Sequence, residues 1–340
     1  MSTMRQVAER AGVSAKTVSR VMRHDRYVSD DVRRRVEQAI RELQYVPNVV
    51  ARTFRSGRDD AIGVAVPDIS DPFFATLTHE VERVARARGV AVFVTSLGDD
   101  GADERPGVEA LLSRQVFGLI TTPTSADQSY LRPWQERTAM VFIDRSPSKI
   151  TADSVVEDDF GGAHTATSHL IGHGHRRIGF IGDRVTVATT ARRLEGYRTA
   201  LADAGIPEDP DVIALGATSG GEAGRAALDL LRRPDPPTAL FSSNARCSIG
   251  IVPRLQAIGR RDMPFISFGD FPLAEALQPP LSVIDQDPVA VGHTAVTRIF
   301  ERLDHPDRRL KRRIVLPVHL LTRGSCGGDH AAVVAELAAS

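Results

Sequence analysis

The stretch that most constrains this chain is Met4 to Arg23, MRQVAERAGVSAKTVSRVMR. Val7, Ala8 and Ala11 recur at the spacing that shares one helix face, and Val18 and Val21 do so again. Gly12 lies between the two stripes and tolerates the positive φ of a tight turn. Ser14 fits the N-cap of the second helix. Two short helices joined by a Gly-containing turn form a helix-turn-helix. The outward face of the second helix carries Ala15, Lys16, Ser19, Arg20 and Arg23. Small residues let a helix sit deep in a major groove, and long cationic ones reach base edges or phosphates. A helical hairpin with a solvated basic face has the same local pattern, so the rest of the chain must separate the two.

Charge helps to separate them. Residues 1–58 carry thirteen cations and six acids, a net +7, while the 340-residue chain as a whole is formally neutral. A basic head on an acidic body is the electrostatic footprint of a nucleic-acid reader joined to something else. The length implies two or three domains. The two cysteines, Cys247 and Cys326, match no metal spacing, and a reducing, cytoplasmic setting is expected. Arg5, Glu9 and Arg10 interrupt any secretory apolar run. No apolar run approaches the roughly 20 residues that span a bilayer, so no membrane partner is expected.

Beyond the loop at His24–Val28, Ser29 fits an N-cap, and Asp30 and Asp31 suit a first turn. Val32, Val36, Ala39, Ile40 and Leu43 follow at helical spacing. Residues 1–46 thus read as an all-α DNA-binding head. Pro47 ends it. Asn48–Arg55 reads as a very short helix, capped by Asn48 with Val50, Ala51 and Phe54 along one side. Helices this short are marginal alone, so residues 47–60 are expected to be a hinge helix and linker that orders against a partner.

From Ala61 the pattern becomes α/β. Short apolar runs at Ile62–Val66, Val90–Val94, Gly118–Thr121 and Met140–Ile143 alternate with helical stretches, and a second such series begins at Gly161. This alternation implies two lobes, each a parallel sheet flanked by helices. The body is expected over 61–324, with an N-lobe of about 61–158 and 288–317 and a C-lobe of about 159–287 and 318–324. Residues 325–340 are Gly- and Ala-rich and read as a flexible tail without heptads. Ligands of open α/β sheets bind beyond the carboxyl ends of the strands. Asp71, Phe73, Phe74, Asp144, Arg145, Arg193, Asn244, Asp270 and Gln286 all fall there. Carboxylates, guanidinia and amides suit the hydroxyls of a polyol, and phenylalanines suit the C–H face of a sugar ring.

The head resembles the LacI/GalR family of bacterial transcription regulators: DVA-x-x-AGVS-x-x-TVSRV is matched by QVAERAGVSAKTVSRV, and ELxYxPN-xx-AR by ELQYVPNVVAR. The resemblance implies base reading by Ala15, Lys16 and Arg20. It also implies minor-groove contact through Asn48, Ala51, Arg52 and Phe54, with Phe54 in the place of the family's usual leucine wedge. The body is similar to the effector domain of that family and to periplasmic sugar-binding proteins, through IGVAVPDISDPFF, FIDRSP, HLIGHGHRRIGFIG, RRLEGY and PPLSVIDQD. By that resemblance Phe73, Phe74, Asp144, Arg145, Arg193, Asn244, Asp270 and Gln286 look like the pentose site of ribose-binding members. One departure is Asn244–Ala245, where the family has Asn-Asp.

The expectation is therefore a repressor controlled by a small sugar, a pentose such as ribose, binding near-palindromic double-stranded operator DNA as a homodimer. A nucleoside or purine effector is the alternative, as is a sugar receptor without DNA function. An enzyme is disfavoured, because GxSxG, a phosphate loop and GxGxxG after a strand are all missing. No cofactor and no metal are expected. His169, His173 and His175 fall at a helix-to-strand turn that lacks the carboxylates of a mixed metal site.

Overall fold

A computed structural model describes residues 3–22, 25, 27–45 and 59–326. The chain divides into a head, Met1–Asp59, and a body, Asp60–Ser340. Five of the expected DNA contacts, Arg23, Asn48, Ala51, Arg52 and Phe54, lie outside the described residues, as does the segment read as a hinge helix.

The head holds helices α1 (Met4–Ala11), α2 (Ala15–Met22) and α3 (Asp30–Glu42). Thr3 and Gln6 close a capping box at the start of α1, where Thr3 N–H donates to Gln6 Oε1 at 2.7 Å. Gly12 ends α1 at φ +65°, the left-handed conformation the turn requires. Ser14 caps α2 through Thr17 N–H, and Ser29 caps α3. Val7, Ala8, Ala11, Val18, Val21, Val36, Ala39 and Tyr45 form one small buried core.

The body is two six-stranded sheets. The N-lobe sheet uses β1 (Asp59–Val66), β2 (Ala91–Ser96), β3 (Val116–Thr121), β4 (Ala139–Ile143), β5 (Asp153–Glu157) and β11 (Arg313–Leu316), in the order β11-β5-β4-β3-β1-β2. The C-lobe sheet uses β6 (Ile178–Ile181), β7 (Ile213–Ala214), β8 (Ala239–Ser242), β9 (Phe265–Phe268), β10 (Ser282–Asp285) and β12 (His319–Leu321), in the order β12-β10-β9-β8-β6-β7. Of the registered pairs only β10–β12 is antiparallel. The inner strands are mostly apolar and buried on both faces, as parallel sheets covered by helices require, while the edge strands β2, β7, β11 and β12 are partly exposed. Helix α4 (Pro72–Ala87) and helix α10 (Pro288–Asp304) cover one N-lobe face, and α5 (Glu104–Leu112) covers the other. In the C-lobe α6 (Asp159–Gly172) and α7 (Ala188–Asp203) cover one face, and α8 (Gly220–Leu231) and α9 (Ala245–Ala257) the other. The chain crosses between lobes three times: after β5, after β10 and after β11.

Two boundaries differ from the sequence reading. Asp59 and Asp60 belong to β1, not to a linker. Ser325 and Cys326 are not tail: both are buried, and Ser325 Oγ donates to the Phe265 carbonyl at 2.6 Å while accepting from Ser282 N–H at 2.8 Å.

Candidate functional site

In the head, Ala15, Lys16 and Arg20 are exposed on α2 and Ser19 is half-buried. Val18 and Val21 hold the opposite face in the core. Arg20 is steadied by Asp25, with Nε donating to Oδ2 at 2.9 Å. The Arg20 hydrogen bond also holds the Asp25 carboxyl below its ordinary range.

In the body, one cleft between the lobes is lined by Asp71, Phe73, Phe74, Asp144, Arg145, Arg193, Asn244 and Gln286, eight of the nine residues expected from sequence. The non-atom space they bound is about 540 Å³, part of it open to solvent. The enclosed part of the cleft is much smaller, about 50 Å³. The N-lobe contributes Asp71, the N-cap of α4, whose Oδ1 accepts from Phe73 N–H at 2.9 Å. Pro72 then begins the helix, so Phe73 and Phe74 lie in the first turn of α4. Phe73 and Phe74 meet edge to face at 5.1 Å. Asp144 follows β4 at φ +64°, a strained conformation for a non-glycine residue. Its carboxylate lies 3.0 Å from Arg145 Nε, and Arg145 Nη1 donates to the Pro123 carbonyl at 3.2 Å.

The C-lobe contributes Arg193, on the second turn of α7. Its Nε donates to Asp159 Oδ1 at 2.7 Å, its Nη1 donates to the Ser243 carbonyl at 2.6 Å, and its guanidinium lies 3.8 Å over the Phe268 ring. Asn244 caps α9: Oδ1 accepts from Cys247 N–H at 2.8 Å, and Nδ2 donates to Asp183 Oδ2 at 2.8 Å. Gln286, at the crossover after β10, donates to Glu157 Oε1 at 3.3 Å.

Asp270 departs from the expected set. It does not line this cleft. Arg323 draws it away, with Nη2 donating to Oδ2 at 2.6 Å and Nη1 to Oδ1 at 3.1 Å. Asp270 instead lines an adjoining depression that shares Phe73 and Gln286. A bidentate ion pair outcompetes a solvated position at a cleft edge.

Sequence reasoning missed Asp99, Asp183 and Arg246, which also line the cleft, and the buried acids Glu157 and Asp159 beneath it. Burial raises the carboxyls of Asp71 and Asp183, and it pushes Asp159 up to about 6 against the pull of Arg193. Burial, then the Asp144 charge, holds Glu157 well above the ordinary carboxyl range. With Asp68, the cleft lining has five acids against Arg145, Arg193 and Arg246. Such a lining favours neutral molecules rich in hydroxyls or amides and disfavours anions.

Comparison with known proteins agrees with both units. Residues 3–48 match the family described as bacterial regulatory proteins, lacI family, and residues 167–326 match the periplasmic binding protein-like domain. The chain is 31% identical over 319 residues to the HTH-type transcriptional repressor PurR of Aliivibrio salmonicida (strain LFI1238), covering 92% of this chain and 95% of that one. It is 31% identical over 332 residues to the ribose operon repressor of Escherichia coli (strain K12), covering 96% and 100%. Among solved structures, the lac repressor dimer bound to operator and the anti-inducer ONPF is similar, with a TM-score of 0.83 and 26% identity over 96% of this chain and 99% of that one. Among the described residues no helix is long and apolar enough to cross a membrane. With a helix-turn-helix head, a two-lobed body and relatives that are transcriptional repressors rather than enzymes, the chain belongs to the LacI family of DNA-binding bacterial regulators.

Proposed function

We propose that this repressor is controlled by a neutral pentose-type sugar held between the lobes of the body. The observation that carries the reading is the convergence of Asp144, Arg145, Arg193, Asn244 and Gln286 with the Phe73–Phe74 pair in one cleft. Carboxylate, guanidinium and amide groups answer the donors and acceptors of several hydroxyls at once. The two phenylalanines offer apolar faces to a ring. The acid excess supports a neutral sugar over a phosphorylated one. The similarity to the ribose operon repressor supports the pentose class. The equal identity to the repressor named PurR keeps a purine or nucleoside as the competing reading.

The chain acts as a homodimer on a near-palindromic operator, because one small head reads few base pairs and two-fold protein symmetry is mirrored in the site. Ala15, Lys16, Ser19 and Arg20 face the bases, and the segment 47–58 carries the minor-groove contacts. The sugar releases the operator.

The test is a thermal-shift panel of pentoses, hexoses, nucleosides and purines, followed by gel shifts with an operator selected from random DNA. A true effector at 100 times its dissociation constant stabilises the chain by about 2.7 kcal/mol and weakens operator binding. A stabilising purine with no stabilising pentose overturns the sugar reading. An operator affinity that saturating, bound sugar leaves unmoved overturns the control.

A further inference from the structure

One side chain spans the cleft from lobe to lobe. Arg246 lies in the first turn of α9. Its Nη2 donates to both oxygens of Asp183, at 2.8 and 3.0 Å, within the C-lobe. Its Nη1 pairs with Oδ2 of Asp99, which follows β2 in the N-lobe. Arg184 of the C-lobe adds a bond to the Asp99 carbonyl at 3.1 Å. Asn244 fixes Asp183 from behind.

Exposed ion pairs contribute little because water screens them and side-chain entropy opposes them. This one differs in two respects. The side chains of Arg246, Asp183 and Asp99 are only 24%, 12% and 30% exposed, so screening is reduced. The guanidinium is also held within its own lobe by Nη2, shared between both oxygens of Asp183, so less freedom is lost when it reaches across. Burial works against its charge, yet the two carboxylates outweigh that and strengthen its hold on the proton. The same geometry sets the sign of the interaction between lobes. With Arg246 in place, Asp99 is attracted to the C-lobe. Without it, Asp99 faces Asp183 across the cleft as one negative charge facing another, and Asp183 already registers that repulsion.

We propose that Arg246 is a positioning residue that clasps the two lobes together through Asp183 and Asp99 and so sets how far the cleft closes. The clasp is built from protein charges alone and does not depend on which molecule the cleft takes.

The experiment measures the distance between spin labels on the full-length chain at low salt, in protein with no added ligand. Labels go on Val94→Cys in the N-lobe and Ile258→Cys in the C-lobe, both exposed, while Cys247 and Cys326 are buried. Arg246→Gln lengthens the distance, and so does Asp99→Asn. In the Arg246→Gln background the effect of Asp99→Asn reverses: the distance shortens, because a repulsion has been removed. About 1 M salt, where the screening length falls to about 3 Å, lengthens the distance in the wild type and not in Asp99→Asn. An effect of Asp99→Asn with the same sign in both backgrounds overturns the clasp, as does a wild-type distance insensitive to salt. Should Arg246→Gln fail to fold, Asp99→Asn alone with the salt comparison decides the matter: a distance equal to the wild type at low salt refutes it.

Discussion

Arg193→Met probes a densely bonded charge in the cleft. The substitution leaves three consequences. Asp159 loses its ion-pair partner, the Ser243 carbonyl loses a donor, and Phe268 loses the guanidinium over its ring. The first depends on pH and can be bounded. Unfolded, Asp159 titrates near about 3.9; folded, at about 6. Keeping it ionised at pH 7 therefore already costs the wild type about 2.8 kcal/mol, at about 1.36 kcal/mol per pKa unit. Without Arg193 the folded pKa rises further, and the cost at pH 7 cannot exceed about 4.2 kcal/mol, because the group then simply takes up a proton. The charge-dependent penalty is thus at most about 1.4 kcal/mol at pH 7 and close to zero at pH 5. The other two losses add roughly 1–3 kcal/mol at either pH. Urea unfolding followed by circular dichroism at both pH values measures the sum. The double variant Asp159→Asn, Arg193→Met should show the pH-independent part alone. A cost equal at pH 5 and pH 7, or a double variant as pH-dependent as the single one, refutes the reasoning.

Arg20→Ala should reduce the preference for a selected operator over random DNA by roughly 1–3 kcal/mol, the worth of a bidentate base contact; a gel-shift competition that leaves the preference intact removes Arg20 from base reading. A carboxyl NMR titration should place the Asp159 midpoint at about 6. Since its folded pKa is raised, its contribution to stability is greatest below about pH 4 and is lost as pH rises through 6, and a midpoint near 4 would contradict burial outweighing the pull of Arg193. Asp144→Ala should abolish the thermal shift given by D-ribose, while Asp270→Ala, which sits on Arg323 outside the cleft, should retain most of it. The reverse order would place Asp270 in the binding site.

The alternation of apolar runs and helical stretches carried the fold, because parallel strands buried on both faces leave an unmistakable β-branched signature. What escaped were elements whose residues do not look apolar. Strand β5, DSVVE, is bounded by Asp153 and Glu157 and reads as a polar loop. It is a central strand because Arg302 neutralises Asp153 from α10, at 2.6 and 2.8 Å. Strands β11 and β12 are short edges with alternating exposure. At α4 and α9 the side chains read as ligand groups, Asp71 and Asn244, are also the helix caps. Site residues at strand ends were legible because they obey the topology of open sheets. Asp270 was not, since its turn toward Arg323 depends on a partner 53 positions away. Asp99, Asp183 and Arg246 were hidden similarly, as charged residues in loops or a first turn whose meaning lies only in their meeting.

The crossovers give the cleft a direct mechanical reading. Gln286 lines the cleft and sits on the crossover after β10, while Glu157 ends β5 at the first crossover. The hydrogen bond from Gln286 Nε2 to Glu157 Oε1 joins these two connections below the cleft floor. A molecule that bonds Gln286 therefore touches a segment that must bend when the lobes move, as well as the faces that close. Its effect on lobe arrangement equals the difference between its affinities for the open and closed arrangements, and a ligand that binds both equally shifts nothing. Groups supplied by both lobes, Asp144 and Arg145 from one and Arg193 and Asn244 from the other, can all be satisfied only when the lobes are together. A polyol that spans the cleft thus has a large differential affinity, whereas a small molecule held by one lobe has nearly none. Size and hydroxyl placement, more than raw affinity, decide which bound molecules can act as effectors.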